Sequence, residues 1–215
     1  MSGLAKTDDG LLVRPHDAQL LYVLAHGAGA GMRHHFLAQA ADVFAARGIA
    51  TYRYEFPYMQ AGKSRPDSPG VAEAAVRKAV AAAARVAPGL PILAGGKSFG
   101  GRMTSQAQTS EPLLGVRGLV FLGFPLHAPG RPSIARAEHL TSVDVPMLFL
   151  QGTRDEFAQL DLLREVVKGL GNRATLHLIE EGDHSFKVPK RTGKTEADVM
   201  NELAETIHQW AAHHA

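Results

Sequence analysis

The sequence predicts an α/β fold, doubly wound around a mainly parallel sheet, and three observations predict it. Short apolar runs alternate with stretches long enough for helices. The apolar runs are continuous, as strands covered on both faces must be. Glycine and polar residues gather just after the runs, where such a sheet opens its ligand site.

Residues 11–14 read as a weak early strand at the sheet edge. Leu20–Ala25, Ile49–Tyr54, residues 92–94, 118–124 and 147–150, and Ala174–Ile179 read as core strands. Helices are predicted at 35–47, 69–87, 100–110, 159–169 and 196–212. In the second, Val76, Val80 and Ala84 recur on one face, Ser68-Pro69 offers an N-cap and first-turn proline, and Pro88-Gly89 ends it. Thr195 is the expected N-cap of the last helix, with Asp198 three residues on.

The 215 residues fit one domain, 1–215, large enough to bury a core without cross-links. Lys plus Arg number 23 against 21 Asp plus Glu, a net charge of +2, with no basic stripe of the kind nucleic acid demands. The absence of cysteine excludes disulfides, thiolate metal sites and a cysteine nucleophile. Residues 1–10 are polar, without an apolar leader, and no run is long enough to span a bilayer. A cytoplasmic protein without membrane or nucleic-acid partners is the expectation.

The chemistry lies in the segments after the strands. Gly96-Lys97-Ser98-Phe99-Gly100 has the G-x-S-x-G pattern of a nucleophile elbow, in which a serine sits on a strained strand-to-helix turn. Small residues on either side let strand and helix approach. A serine hydroxyl needs a base, and His184, after the last strand, is placed to be one. The histidine needs a carboxylate to fix its tautomer, and Asp155 follows the strand ending near Leu150. Glu156 and Asp161 are the alternatives for the acid; Asp183 adjoins His184 in sequence and should point elsewhere. The oxyanion would be held by the backbone N–H groups of Phe99 and of Ala28, in the loop His26-Gly27-Ala28-Gly29.

Other patterns compete. Gly96-Lys97-Ser98 also ends like a phosphate-binding loop, but that motif requires glycine where Pro91 stands. His34 and His35 invite a metal, yet adjacent histidines rarely converge on one ion, and no metal is expected. Lys187, Lys190, Arg191 and Lys194 form a basic loop that is either solvated or attracts an anionic substrate.

The set His26-Gly27, Gly96-x-Ser98-x-Gly100, Asp155 and Gly182-Asp183-His184 resembles the α/β-hydrolase superfamily over nearly the whole chain. Tyr54-Glu55-Phe56-Pro57-Tyr58, Gly123-Phe124-Pro125-Leu126-His127 and Asp183-His184-Ser185-Phe186-Lys187 resemble a small, lidless branch of dienelactone-hydrolase-like size. That branch includes bacterial predicted hydrolases and the animal testis-expressed protein thirty, and related domains occur in a chromatin-modifying complex. The chain order Ser98, Asp155, His184 is the one that fold uses. Larger members insert a helical lid after the strand ending near Phe124; residues 127–145 are too short for one, so a shallow, open site is expected, lined by Met32, Phe56, Phe124 and His127.

The resemblance implies hydrolysis of a small ester or thioester through an acyl-enzyme, with no cofactor. The rival is a catalytically silent domain of the same fold serving protein interaction. The presence of all three side chains favours the enzyme.

Overall fold

The computed structural model describes residues 3–7 and 9–214. Met1, Ser2 and Asp8 of the polar N-terminal stretch, and Ala215, lie outside the described residues. Among the described residues eight strands form one sheet: β1 (Gly3–Thr7), β2 (Gly10–Arg14), β3 (Leu20–Ala25), β4 (Ile49–Tyr54), β5 (Ile92–Lys97), β6 (Val116–Leu122), β7 (Met147–Gly152) and β8 (Ala174–Ile179). Their spatial order is β1-β2-β4-β3-β5-β6-β7-β8. From β4 to β8 every neighbouring pair is parallel, while β1 and β2 run antiparallel to their partners.

Among the described residues six α-helices accompany the strands: α1 (His35–Ala45), α2 (Pro57–Gln60), α3 (Pro69–Val86), α4 (Phe99–Ser110), α5 (Leu160–Leu170) and α6 (Glu196–His214). Successive side chains of a strand point to opposite faces, and β3 divides accordingly. Leu20, Tyr22 and Leu24 pack with residues of α1 and α6. Leu21, Val23 and Ala25 pack with residues of α3, α4 and α5. Buried on both sides, β3 needs the unbroken apolar sequence it has.

The early strand is not the edge: β1, unforeseen in the sequence, pairs outside β2 from Gly3↔Arg14 to Thr7↔Gly10. Ser68 makes no side-chain capping bond; Pro69 alone marks the start of α3. Thr195 does cap α6, its hydroxyl accepting from Asp198 N–H at 3.1 Å while the Asp198 carboxylate accepts from Thr195 N–H at 2.8 Å. The segment between β6 and β7 forms a 3₁₀ turn at Ala135–Ser142, where His139 bonds Ser105 of α4 at 2.7 Å. It lies against α4 and raises no lid. Among the described residues no helix is long and apolar enough to cross a membrane.

Candidate active site

Ser98 sits between β5 and α4 with φ 50° and ψ −115°. A side chain at positive φ carries strain, typically about 1–3 kcal/mol, that the surroundings must sustain. They do so by crowding. A Cβ on Gly96 (φ 149°) would overlap the carbonyl oxygen of Ala25, and one on Gly100 would lie 2.6 Å from that of His26. Only glycine allows β3, β5 and α4 to close on the turn. Ser98 N–H is bonded to Leu122 O at 3.1 Å, which fixes the turn against β6.

His184 reaches this hydroxyl from the loop after β8, its Nε2 2.9 Å from Ser98 Oγ. Its Nδ1 lies 2.7 Å from Asp155 Oδ2. An ionised carboxylate can only accept, so the imidazole carries its proton on Nδ1 and leaves Nε2 to accept the serine proton. Asp155 is buried, and its charge is met by Phe157 N–H on Oδ1 at 2.8 Å and by Gln151 Nε2 on Oδ2 at 2.5 Å. Gln151 is itself fixed by accepting Phe124 N–H at 2.8 Å. The Phe157 ring lies on the imidazole at 4.3 Å between centroids. The structure thus joins Ser98, His184 and Asp155 in one hydrogen-bonded line. Glu156 and Asp161 are exposed, and Asp183 turns away to accept from Ser185 and Lys187 N–H at 2.8 and 2.9 Å.

The loop after β3 faces Ser98 from the other side. Its first residue, His26, accepts Phe56 N–H on Nε2 at 3.1 Å and donates from Nδ1 to Gly27 O at 2.8 Å. Burial holds this imidazole below its ordinary pKa, outweighing the Gly27 carbonyl and Glu55. Further on, Gly29 N–H is taken by the Tyr58 hydroxyl at 2.9 Å, and Met32 N–H by Glu55 Oε1 at 3.0 Å. Arg53 donates to Met32 O at 3.3 Å. With Gly29 engaged, Ala28 N–H and Phe99 N–H are left without an acceptor among the described residues; Phe99 follows Ser98 in the chain, and Ala28 lines the same cavity as Ser98.

Lys97, the residue before the serine, runs beneath the loop that carries His184. Its ammonium donates to His184 O at 2.6 Å and lies 5.6 Å from the centre of the Phe186 ring. Enclosure pulls its pKa down to about 8 despite the opposing pull of Asp155 and Asp183. This use of the lysine leaves nothing of a phosphate loop.

A cavity of about 430 Å³ adjoins Ser98 and His184, walled by the first turns of α1 and α6 and by Phe157, Phe186 and Lys187. The lining expected from sequence is corrected. Phe56 is buried against Phe99, and Phe124 against Phe121 and Phe149. His127 is spent on backbone groups, its ring nitrogens 2.9 Å from Ala128 O and from Gln159 N. Met32 is held through its backbone and does not line the cavity. A position just after a strand gives nearness to the site but not the direction of the side chain. His34 caps α1 by accepting Phe36 N–H at 3.3 Å, and among the described residues no cluster of three metal-ligating side chains forms.

The sequence reading missed Gln151, Glu55, Tyr58 and Phe157. A buried glutamine after an apolar strand, and the tyrosine and glutamate of Tyr54-Glu55-Phe56-Pro57-Tyr58, were the available signals.

A family model described as an α/β-hydrolase domain matches residues 18–212. Among solved structures, the dienelactone hydrolase of Anabaena variabilis superposes with a TM-score of 0.72 at 19% identity, covering 100% of this chain and 97% of the other. An α/β serine hydrolase homologue from Coxiella burnetii gives 0.70 at 17% identity, covering 97% and 96%. A lidless α/β serine hydrolase from Xanthomonas campestris gives 0.69 at 18% identity, covering 98% and 94%.

Proposed function

The chain belongs to the α/β-hydrolase domain family, and we propose that it is a serine hydrolase acting on a carboxylic ester or thioester of a small acyl substrate. The observation that carries this reading is the line Ser98 Oγ–His184–Asp155, with spacings of 2.9 and 2.7 Å, on a strained elbow.

In the proposed reaction Ser98 Oγ attacks the substrate carbonyl carbon while its proton passes to His184 Nε2. Asp155 stabilises the imidazolium and does not take the proton. The carbonyl oxygen becomes an oxyanion between the N–H groups of Phe99 and Ala28. Each such donor is worth about 3 kcal/mol of transition-state stabilisation. Collapse of the tetrahedral species breaks the bond to the leaving oxygen or sulfur, which receives the proton from His184. Water then attacks the acyl-enzyme with His184 again as base, and the acid and free Ser98 are released. Every group this sequence of steps requires is supplied by the chain itself.

Hydrolysis of p-nitrophenyl acetate and butyrate tests the proposal. The wild type should turn both over, and Ser98→Ala or His184→Ala should lose several orders of magnitude, on the order of 10⁴–10⁶ in kcat. Wild-type-like turnover in either variant would refute it.

A further inference from the structure

The cavity beside Ser98 joins two kinds of wall. Between α1 and α6 it is floored by Leu37, Val199, Met200 and Leu203, all buried side chains with no polar group to offer. Nearer the serine it is lined by Lys97 and Lys187, against a single carboxylate outside the hydrogen-bonded line, Glu196.

The basic residues after His184 are not equivalent. Arg191 is paired with Glu181 at 2.7 Å and Lys194 with Glu202 at 2.7 Å, and neither lines the cavity. Lys187 lines it and, among the described residues, has no carboxylate within 4.0 Å. Lys97 makes one bond, to His184 O, where an ammonium has three donors to satisfy. Three helices start at this cavity, α1 with 11 residues, α4 with 12 and α6 with 19. The first turn of α6 carries Glu196 and Asp198, whereas α1 and α4 have no acidic residue there, so the N-termini of those two add to the positive potential of the lysines.

We propose that the substrate joins an apolar stretch, seated between α1 and α6, to an anionic group drawn to Lys187. This specificity rests on the hydrolase reading above and narrows it to amphipathic anionic esters or thioesters. The anion can belong to the acyl part or to the leaving group, and both are distinguishable.

Three chromogenic esters with six-carbon acyl chains make the test. They are p-nitrophenyl hexanoate (neutral), mono-p-nitrophenyl adipate (carboxylate on the acyl chain) and 4-hexanoyloxy-3-nitrobenzoate (carboxylate on the leaving group). At least one anionic ester should exceed the neutral one in kcat/KM by about tenfold, and the excess should shrink as salt is added. Lys187→Met should bring the ratio near one and Lys187→Arg should keep it. A neutral ester cleaved as well as both anions, or a preference that survives Lys187→Met, overturns the proposal and leaves the hydrolase reading standing. Failure to cleave any of the three overturns it too, and labelling of Ser98 by a fluorophosphonate then decides whether the hydrolase reading survives.

Discussion

The two loops that flank Ser98 take their shape from different sources. Residues 26–32 bond within the loop only at Gly27 O, which takes His26 Nδ1–H and Ala30 N–H, and are otherwise held from outside: Arg53, Glu55, Phe56 and Tyr58, at the end of β4 and the start of α2, each bond one member of the loop. Residues 180–187 are held in good part from within, around Asp183. Asp183 N–H bonds Lys187 O, Phe186 N–H bonds Asp183 O, and the Asp183 carboxylate takes two more N–H groups. From outside come Thr153, accepting Glu181 N–H at 2.8 Å, Arg154, donating its N–H to Gly182 O at 2.8 Å, Arg191, bonded to Glu181, and Lys97. Under the proposed mechanism the difference follows from what each loop would have to do. A loop that presents Ala28 N–H to the oxyanion would need its neighbours kept occupied by partners across the site, whereas a loop that fixes the His184 ring would be served by a self-bonded turn and a buried carboxylate.

Removing one anchor from either loop tests the contrast between them. The largest effect is expected from Asp183→Ala, which removes two acceptors at once from the self-bonded loop. A small displacement of a reacting group can cost about 10²-fold, so a loss of that order in kcat is expected, with KM little changed. Tyr58→Phe frees only Gly29 N–H and should lower kcat about tenfold. Steady-state kinetics of both variants on p-nitrophenyl butyrate ranks them. Equal losses would mean that both loops depend alike on their outside partners.

The smallest effect is expected from Lys97→Met, with a stability signature that sharpens the assignment. The folded state depresses the lysine pKa to about 8 from its ordinary 10.5. Between these values the unfolded chain holds a proton that the folded chain has lost, so this group makes stability rise with pH. That contribution is complete above 10.5 and disappears as the pH falls through 8. Urea denaturation at pH 7.5 and 10 (roughly bracketing the window) should show the wild type gaining on Lys97→Met at the higher value. A difference independent of pH would mean that the ammonium is solvated in the folded protein. The same variant should lower kcat by a few-fold through loss of the tie to His184 O.

Much of the fold was legible because continuous apolar strands and helical stretches are local signals. The early hairpin was only half legible: the five residues of β1 show no strand periodicity, and their pairing with β2 runs through the backbone, which composition does not record. The positions of Ser98, His184 and Asp155 were legible because each directly follows a strand and because serine on a glycine-flanked turn has few other uses. The cavity was not. Its walls, from α1 and α6, meet through long-range packing, and helical periodicity reveals an apolar face without naming its partner. Phe56 and Phe124 show the same limit: their places in the chain adjoin the site, but the turns they follow aim the rings into the core. Gln151 was hidden by resemblance to an ordinary strand-end residue, although its complete burial demands the two bonds it makes.

The most direct measurement is intact and peptide mass analysis after treatment with an alkyl fluorophosphonate, for the wild type and Ser98→Ala. One phosphonyl group, carried on Ser98, is expected in the wild type and none in the variant. A wild type that stays unmodified, or a variant labelled as fast as the wild type, would contradict an activated serine at this turn.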